Sequence, residues 1–95
     1  MPYEIIWLPE ALEDVQRLRL FLEDKNPDVA ARAGRVLHEG TDLLARFPEC
    51  SPPMPDGTAR RELFMPFGSG RYILRYILEP QTVVIIRAWH SKEKR

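Results

Sequence analysis

Cys50 is the only cysteine in this chain. One thiol excludes an internal disulfide framework and any cysteine-cluster metal site. It fits a reducing compartment, so the cytoplasm is the expected location. No apolar run approaches ~18 residues, so no membrane-spanning helix is expected. The opening Met1-Pro2-Tyr3-Glu4 has no basic stretch of the kind that begins a signal peptide. There is no phosphate-binding glycine loop, zinc spacing or calcium loop. Neither metal nor cofactor is therefore expected. Net charge is lacking too: 14 acidic side chains face 14 basic ones.

The charge that is present is unevenly placed. Residues 1–58 carry 11 acids and 6 bases, and residues 59–95 carry 3 acids and 8 bases. Such asymmetry marks the second half as a candidate surface for an anionic partner. The length of 95 residues and the 44% apolar content suit one globular domain spanning 1–95.

Tyr3 through Leu8 is β-branched and aromatic and reads as a strand. Pro9 opens a helix, because the first helical position needs no donor. Ala11, Val15, Leu18 and Leu22 recur at helical spacing. Glu10, Glu13 and Asp14 fall near its start, where the helix dipole accounts for acids. Asn26-Pro27-Asp28 predicts a second start, with Asn26 as cap. Its apolar stripe runs Ala33, Val36, Leu37, Gly40, Leu43, Leu44 and Phe47. Gly40 is expected to let this helix approach the first one closely. His38 reads as a packing residue. A proline-rich loop, residues 48–60, follows, and Cys50 within it has no activating base. Arg61–Met65, Tyr72–Leu78 and Thr82–His90 read as strands. The order β-α-α-β-β-β predicts an α+β fold, an antiparallel sheet of about four strands with the helical hairpin on one face.

The three-residue connection Glu79-Pro80-Gln81 predicts a register. Leu78 would oppose Thr82, Tyr76 Val84, Leu74 Ile86 and Tyr72 Ala88, making the even-numbered face the core. The other face would then carry Arg71, Arg75, Arg87 and Trp89 over an exposed floor of Ile73, Ile77, Val83 and Ile85. Arginine and tryptophan concentrate binding energy at interfaces, so this face is the candidate docking surface. His90 ends the last strand, and its ordinary titration range suits acid–base chemistry. Ser91 beside it would point to the opposite face, which argues against a Ser91–His90 catalytic pair.

Three stretches together resemble the RelE/ParE superfamily of bacterial toxins. They are Ile5-Ile6-Trp7-Leu8-Pro9-Glu10-Ala11-Leu12-Glu13-Asp14; Arg61-Glu62-Leu63 with Phe67-Gly68-Ser69-Gly70-Arg71-Tyr72-Ile73-Leu74-Arg75-Tyr76; and Val83-Val84-Ile85-Ile86-Arg87-Ala88-Trp89-His90. The resemblance implies a toxin held in a hetero-oligomer by a cognate ParD-like or RelB-like antitoxin, with no membrane partner. Partner contacts are expected at Arg71, Ile73, Arg75, Ile85, Arg87 and Trp89. The resemblance also implies one of two activities. RelE-like members cleave messenger RNA on the ribosome; here His90, Arg71, Arg75 and Arg87 would be the catalytic set. ParE-like members poison DNA gyrase and lack most of that catalytic set, so no catalytic residue is expected; here the tail Lys92, Lys94 and Arg95 would touch the target. No tyrosine follows His90, no lysine lies between Lys25 and Lys92, and the net charge is zero. These departures from the RelE pattern favour the gyrase reading, with the ribonuclease as alternative and a non-toxic interaction module as a third.

Overall fold

Asn26 caps a helix as its sequence position predicts. In the computed structural model, which describes residues 2–93, its side chain accepts the Asp28 and Val29 backbone N–H groups at 2.9 and 3.3 Å. The elements are β1 (Glu4–Trp7), α1 (Pro9–Glu23), α2 (Pro27–Arg46), β2 (Arg61–Phe67), β3 (Gly70–Leu78) and β4 (Thr82–His90). Pro9 and Pro27 stand at the starts of the two helices, where a missing donor costs nothing.

The four strands form one sheet in the order β1-β4-β3-β2. The sheet is mixed. β2–β3 and β3–β4 are antiparallel, while β1 runs parallel to β4. A parallel neighbour needs a long crossover, and the helical hairpin and the strands after it supply the return. Pro66 lies inside β2 rather than in the turn, which an edge strand tolerates because one side of its ladder is unpaired.

The predicted β3–β4 register is corrected by the structure. Leu78 faces Val83, Ile77 faces Val84 and Tyr76 faces Ile85. A bulge between Arg75 and Tyr76 then resets the pairing to Arg75–Arg87, Leu74–Ala88, Ile73–Trp89 and Tyr72–His90. Val83 and Ile85, expected on the exposed face, are both 0% exposed in the core. Val84 and Ile86 are the half-buried pair instead. Four consecutive β-branched residues, Val83 to Ile86, carry no alternation, so the pattern could not choose a face. The bulge brings Ala88 back to the core side, where the prediction had put it.

The core lies between the helices and one face of the sheet. Leu63, Met65, Tyr72, Leu74, Tyr76, Val83, Ile85 and Ala88 meet Ala11, Leu18, Ala33, Leu37 and Leu44. Each large side chain buried there contributes ~1.5–3 kcal/mol. The Tyr76 hydroxyl donates to the Pro48 carbonyl at 2.8 Å, so its burial leaves no orphan polar group.

Gly40 does not serve helix–helix approach as expected. It admits the sheet: an added Cβ would collide with Met65 Sδ and lie 3.4 Å from Leu74 Cδ1. Gly34, on the same helix, has nothing within 4 Å of an added Cβ. Alanine gains the same helix propensity at either position, about 1 kcal/mol. Gly34→Ala should therefore stabilise the fold. Gly40→Ala should fall below it by ~1–3 kcal/mol, the usual cost of overpacking. Urea midpoints of the two variants test this, and equal midpoints would mean that α2 does not press on β2 at Gly40.

Candidate functional site

The sheet face away from the helices carries the row Phe64–Ile73–Trp89, placed side by side by the ladder. Two guanidinium groups lie over this row. Arg71 sits 4.3 Å from the Phe64 ring centre and Arg75 sits 5.0 Å from that of Trp89. Such contact draws a cation to the face of an aromatic ring. Ile73, expected as exposed floor, is only 4% exposed. Ile85 is on the other side of the sheet altogether, so neither isoleucine is available as an exposed contact.

The three sheet arginines expected to act together do not share a site. Arg75 Nε and Nη2 both donate to Glu62 Oε2, at 2.9 and 2.7 Å. Glu62 is its cross-strand neighbour, so the register itself neutralises that charge. Arg87 stands opposite Arg75 in the ladder. Its Nε and Nη2 donate instead to Asp14 Oδ2 and Oδ1, at 2.7 and 3.1 Å. Arg71 is exposed and has no acidic partner among the described residues.

Asp14 is the residue that sequence reasoning missed. It is 2% exposed and sits in the second turn of α1. β1 pairs with β4 only as far as Ile85, so the edge of β4 beyond it needs another partner. Asp14 Oδ2 fills that place by accepting the Ala88 backbone N–H at 2.9 Å. Oδ1 also accepts from Arg17 Nη1 at 2.6 Å. Burial pushes the carboxyl pKa up. The hydrogen bonds from Arg87, Ala88 and Arg17 outweigh burial and hold it down at about 2. The helix dipole does not explain such a group. The sequence signal was its spacing: Asp14 lies three residues after Ala11 and four before Leu18, on the buried stripe.

The end of β4 folds back on the sheet. The His90 ring accepts the Lys92 backbone N–H at Nδ1, 3.1 Å away. Nε2 therefore carries the proton and donates to the Phe67 carbonyl at 2.9 Å. The ring also meets Tyr72 edge-on, with centres 5.0 Å apart. Both nitrogens of His90 are occupied by structural bonds. Ser91 Oγ accepts the Arg71 backbone N–H at 3.0 Å, so it is not partnered with His90. Between this turn, the Phe67–Ser69 turn and the apolar side chains Leu18, Phe21 and Leu22 of α1 lies a groove of about 590 Å³, with Lys92 and Glu93 on its wall. The expected tail residues Lys94 and Arg95 lie outside the described residues. Cys50 is exposed, and among the described residues no group of three metal-ligating side chains is present. Among the described residues, no helix is long and apolar enough to cross a membrane.

A helical hairpin on a four-stranded sheet, with arginines and aromatics on the open face, defines the small-toxin fold that the sequence resembled. The chain belongs to the family described as the ParE toxin of the type II toxin–antitoxin system parDE, which it matches over residues 5–95. It is a toxin of the RelE/ParE superfamily. It is 33% identical to Toxin RelE1 of Caulobacter vibrioides over 95 residues, the full length of both. Toxin RelE3 of the same organism is 33% identical over 87 residues, 92% of each chain. The chromosomal ParDE system from P. aeruginosa contains a chain of the same fold. That match has TM-score 0.71 and 14% identity, covering 93% of this chain and 95% of that one. The RelBE2 toxin–antitoxin complex of Mycobacterium tuberculosis gives TM-score 0.65 and 22% identity, covering 95% and 99%.

Proposed function

We propose that this toxin acts on DNA gyrase by surface complementarity and is neutralised by a cognate antitoxin in the bacterial cytoplasm. The observation that carries this reading is that three of the four groups RNA cleavage would draw on are already engaged, Arg71 being the one without an acidic partner among the described residues. Cleavage at a 2′-hydroxyl requires a base, an acid and cations free to meet the developing phosphorane charge. Arg75 is held by Glu62, Arg87 by Asp14, and both His90 nitrogens by backbone groups. A poison that binds without chemistry needs none of these free. The zero net charge points the same way, since binding an RNA-rich target favours basic proteins.

The names of the two Caulobacter relatives, RelE1 and RelE3, favour a second reading, ribosome-dependent messenger RNA cleavage. Plasmid topology in cells separates the two. Induced expression should arrest growth and leave reporter plasmid relaxed or linear within one doubling. Arrest with normal supercoiling and fragmented messenger RNA would overturn the gyrase reading, and undisturbed growth would leave a non-toxic interaction module.

The antitoxin is expected on the open face, at Phe64, Arg71, Arg75 and Trp89, and on the exposed apolar side chains Leu12, Leu20 and Phe21 of α1. A segment that folds on binding would cover these apolar groups and bring acids to the arginines. Two of the similar solved structures, ParDE and RelBE2, are themselves toxin–antitoxin systems, which supports a hetero-oligomer here.

A further inference from the structure

The charged cluster around Asp14 has a second arm, which bonds the end of β4 and reaches the turn after it. Arg17 Nε and Nη2 donate to Glu93 Oε2 and Oε1 at 3.0 and 3.1 Å, a two-pronged bond between α1 and the turn after β4. Glu93 Oε1 also accepts the His90 backbone N–H at 2.9 Å, and the Glu93 N–H returns to the His90 carbonyl at 3.0 Å. On its other side the turn is held by β3. The Ser91 N–H donates to the Arg71 carbonyl at 2.8 Å, while Ser91 Oγ accepts the Arg71 N–H. Gly70 makes room for this contact: an added Cβ would collide with Ser91 Oγ and lie 2.9 Å from His90 Cε1.

A segment that runs on past its last strand ordinarily frays unless it is tied down. Here four successive residues, His90 to Glu93, are each tied by a side chain or a backbone group to something outside or across the turn. Half-exposed ion pairs contribute little singly, but a forked arginine–carboxylate pair that shares its acceptor with a backbone N–H fixes geometry. Lys92 is thereby held on the wall of the groove beside Phe21, Gly68 and Ser69.

We propose that Arg17 and Glu93 are positioning residues, which lock the His90–Glu93 turn between α1 and the β2–β3 turn and so present Lys92 to the target in one fixed geometry. The inference rests on the gyrase reading, in which the basic residues after β4 meet the target. A loosened turn would be competent only part of the time, and apparent potency falls by that fraction.

The test compares full-length wild type, Glu93→Ala, Glu93→Gln, Arg17→Lys and Lys92→Ala. Glu93→Gln keeps an acceptor for the His90 N–H but loses the charge. Arg17→Lys keeps a cation for Asp14 but loses the fork. Two quantities are read: amide hydrogen exchange residue by residue, and the amount of folded toxin that halves growth. In Glu93→Ala, exchange at residues 91–93 should quicken ~10-fold while core amides hold their protection. Half-arrest should then need ~10-fold more toxin. Glu93→Gln and Arg17→Lys should fall between it and wild type, and Lys92→Ala should lose potency with exchange unchanged. Unchanged exchange in Glu93→Ala, or faster exchange with full potency, would overturn the proposal. If Glu93→Ala loses core protection, Glu93→Gln carries the comparison. A wild type that arrests growth without inhibiting gyrase would overturn the gyrase reading itself, whereas a wild type that inhibits gyrase beside a Glu93→Ala of equal potency would overturn only this proposal.

Discussion

Asp14→Ala should destabilise the protein by about 2–4 kcal/mol. The substitution strips the Ala88 N–H of its acceptor, and a buried unsatisfied donor costs ~1–3 kcal/mol. It also removes the common partner of Arg17 and Arg87. Those side chains remain 45% and 44% exposed, so they can turn to water, and the cost stays below that of stranding a fully buried charge. For a domain of this size the melting temperature should drop by ~10–25 °C. Asp14→Asn keeps an acceptor for Ala88 and should lose roughly half as much. The pH dependence has a defined sign. Asp14 titrates at about 2 in the fold against an ordinary 3.8, so its contribution is fully present above the ordinary value. That contribution, on the order of 2 kcal/mol, should be lost as pH falls through the folded value. Glu93 is shifted in the same direction by Arg17 and the His90 N–H, against burial. The difference between wild type and Asp14→Asn therefore isolates Asp14. Urea unfolding across pH 2–5 should show the two curves converging at the acid end. Parallel curves would mean that Asp14 does not anchor the free edge of β4.

The double variant Arg71→Glu with Arg75→Glu should weaken the antitoxin complex by about 2–5 kcal/mol, if an acidic segment is desolvated against that face. Both guanidinium groups lie over aromatic rings of the open face, and Arg75 is also paired with Glu62. Reversing them places acids where acids are expected to dock. Arg75→Glu also sets two carboxylates opposite each other across the ladder, so the free toxin should lose a little stability. Arg87 is unsuitable for the same test, although the sequence placed it on this face. Its reversal would face Asp14 and disturb the fold itself. Calorimetric titration of purified antitoxin against folded double variant gives the number, and unchanged affinity would remove the open face from the interface.

Much of this architecture was legible because its signals are local. A capping asparagine before a proline, two apolar stripes at helical spacing and three β-rich runs need no knowledge of the tertiary fold. What failed to show was set by long-range contacts. The run Val83-Val84-Ile85-Ile86 suits either face, and only its packing under α1 and beside β1 decides that Val83 and Ile85 go inward. The bulge that follows has no composition signal. Arg87 looked like part of a basic face because nothing in β4 reveals an aspartate 73 residues earlier. That aspartate was visible on the apolar stripe of α1, but first-turn acids beside it made the helix dipole a sufficient explanation. His90 is the opposite case. The case against a Ser91–His90 pair was legible, and the structure adds that the His90 ring is spent on Phe67 and Lys92.

A toxin that acts on gyrase by surface complementarity, as proposed, performs no cleavage of its own. Purified toxin should be assayed in parallel with gyrase on relaxed plasmid and with translating ribosomes on a defined messenger RNA, using wild type and His90→Ala. The expected result is impaired supercoiling or trapped cleaved DNA in the first assay and intact message in the second. His90→Ala should then act like wild type per mole of folded protein, while losing ~1–2 kcal/mol of stability with its two ring hydrogen bonds. Codon-positioned cuts in the message that fall ~10²-fold or more in His90→Ala, beyond any loss of folded protein, would contradict it.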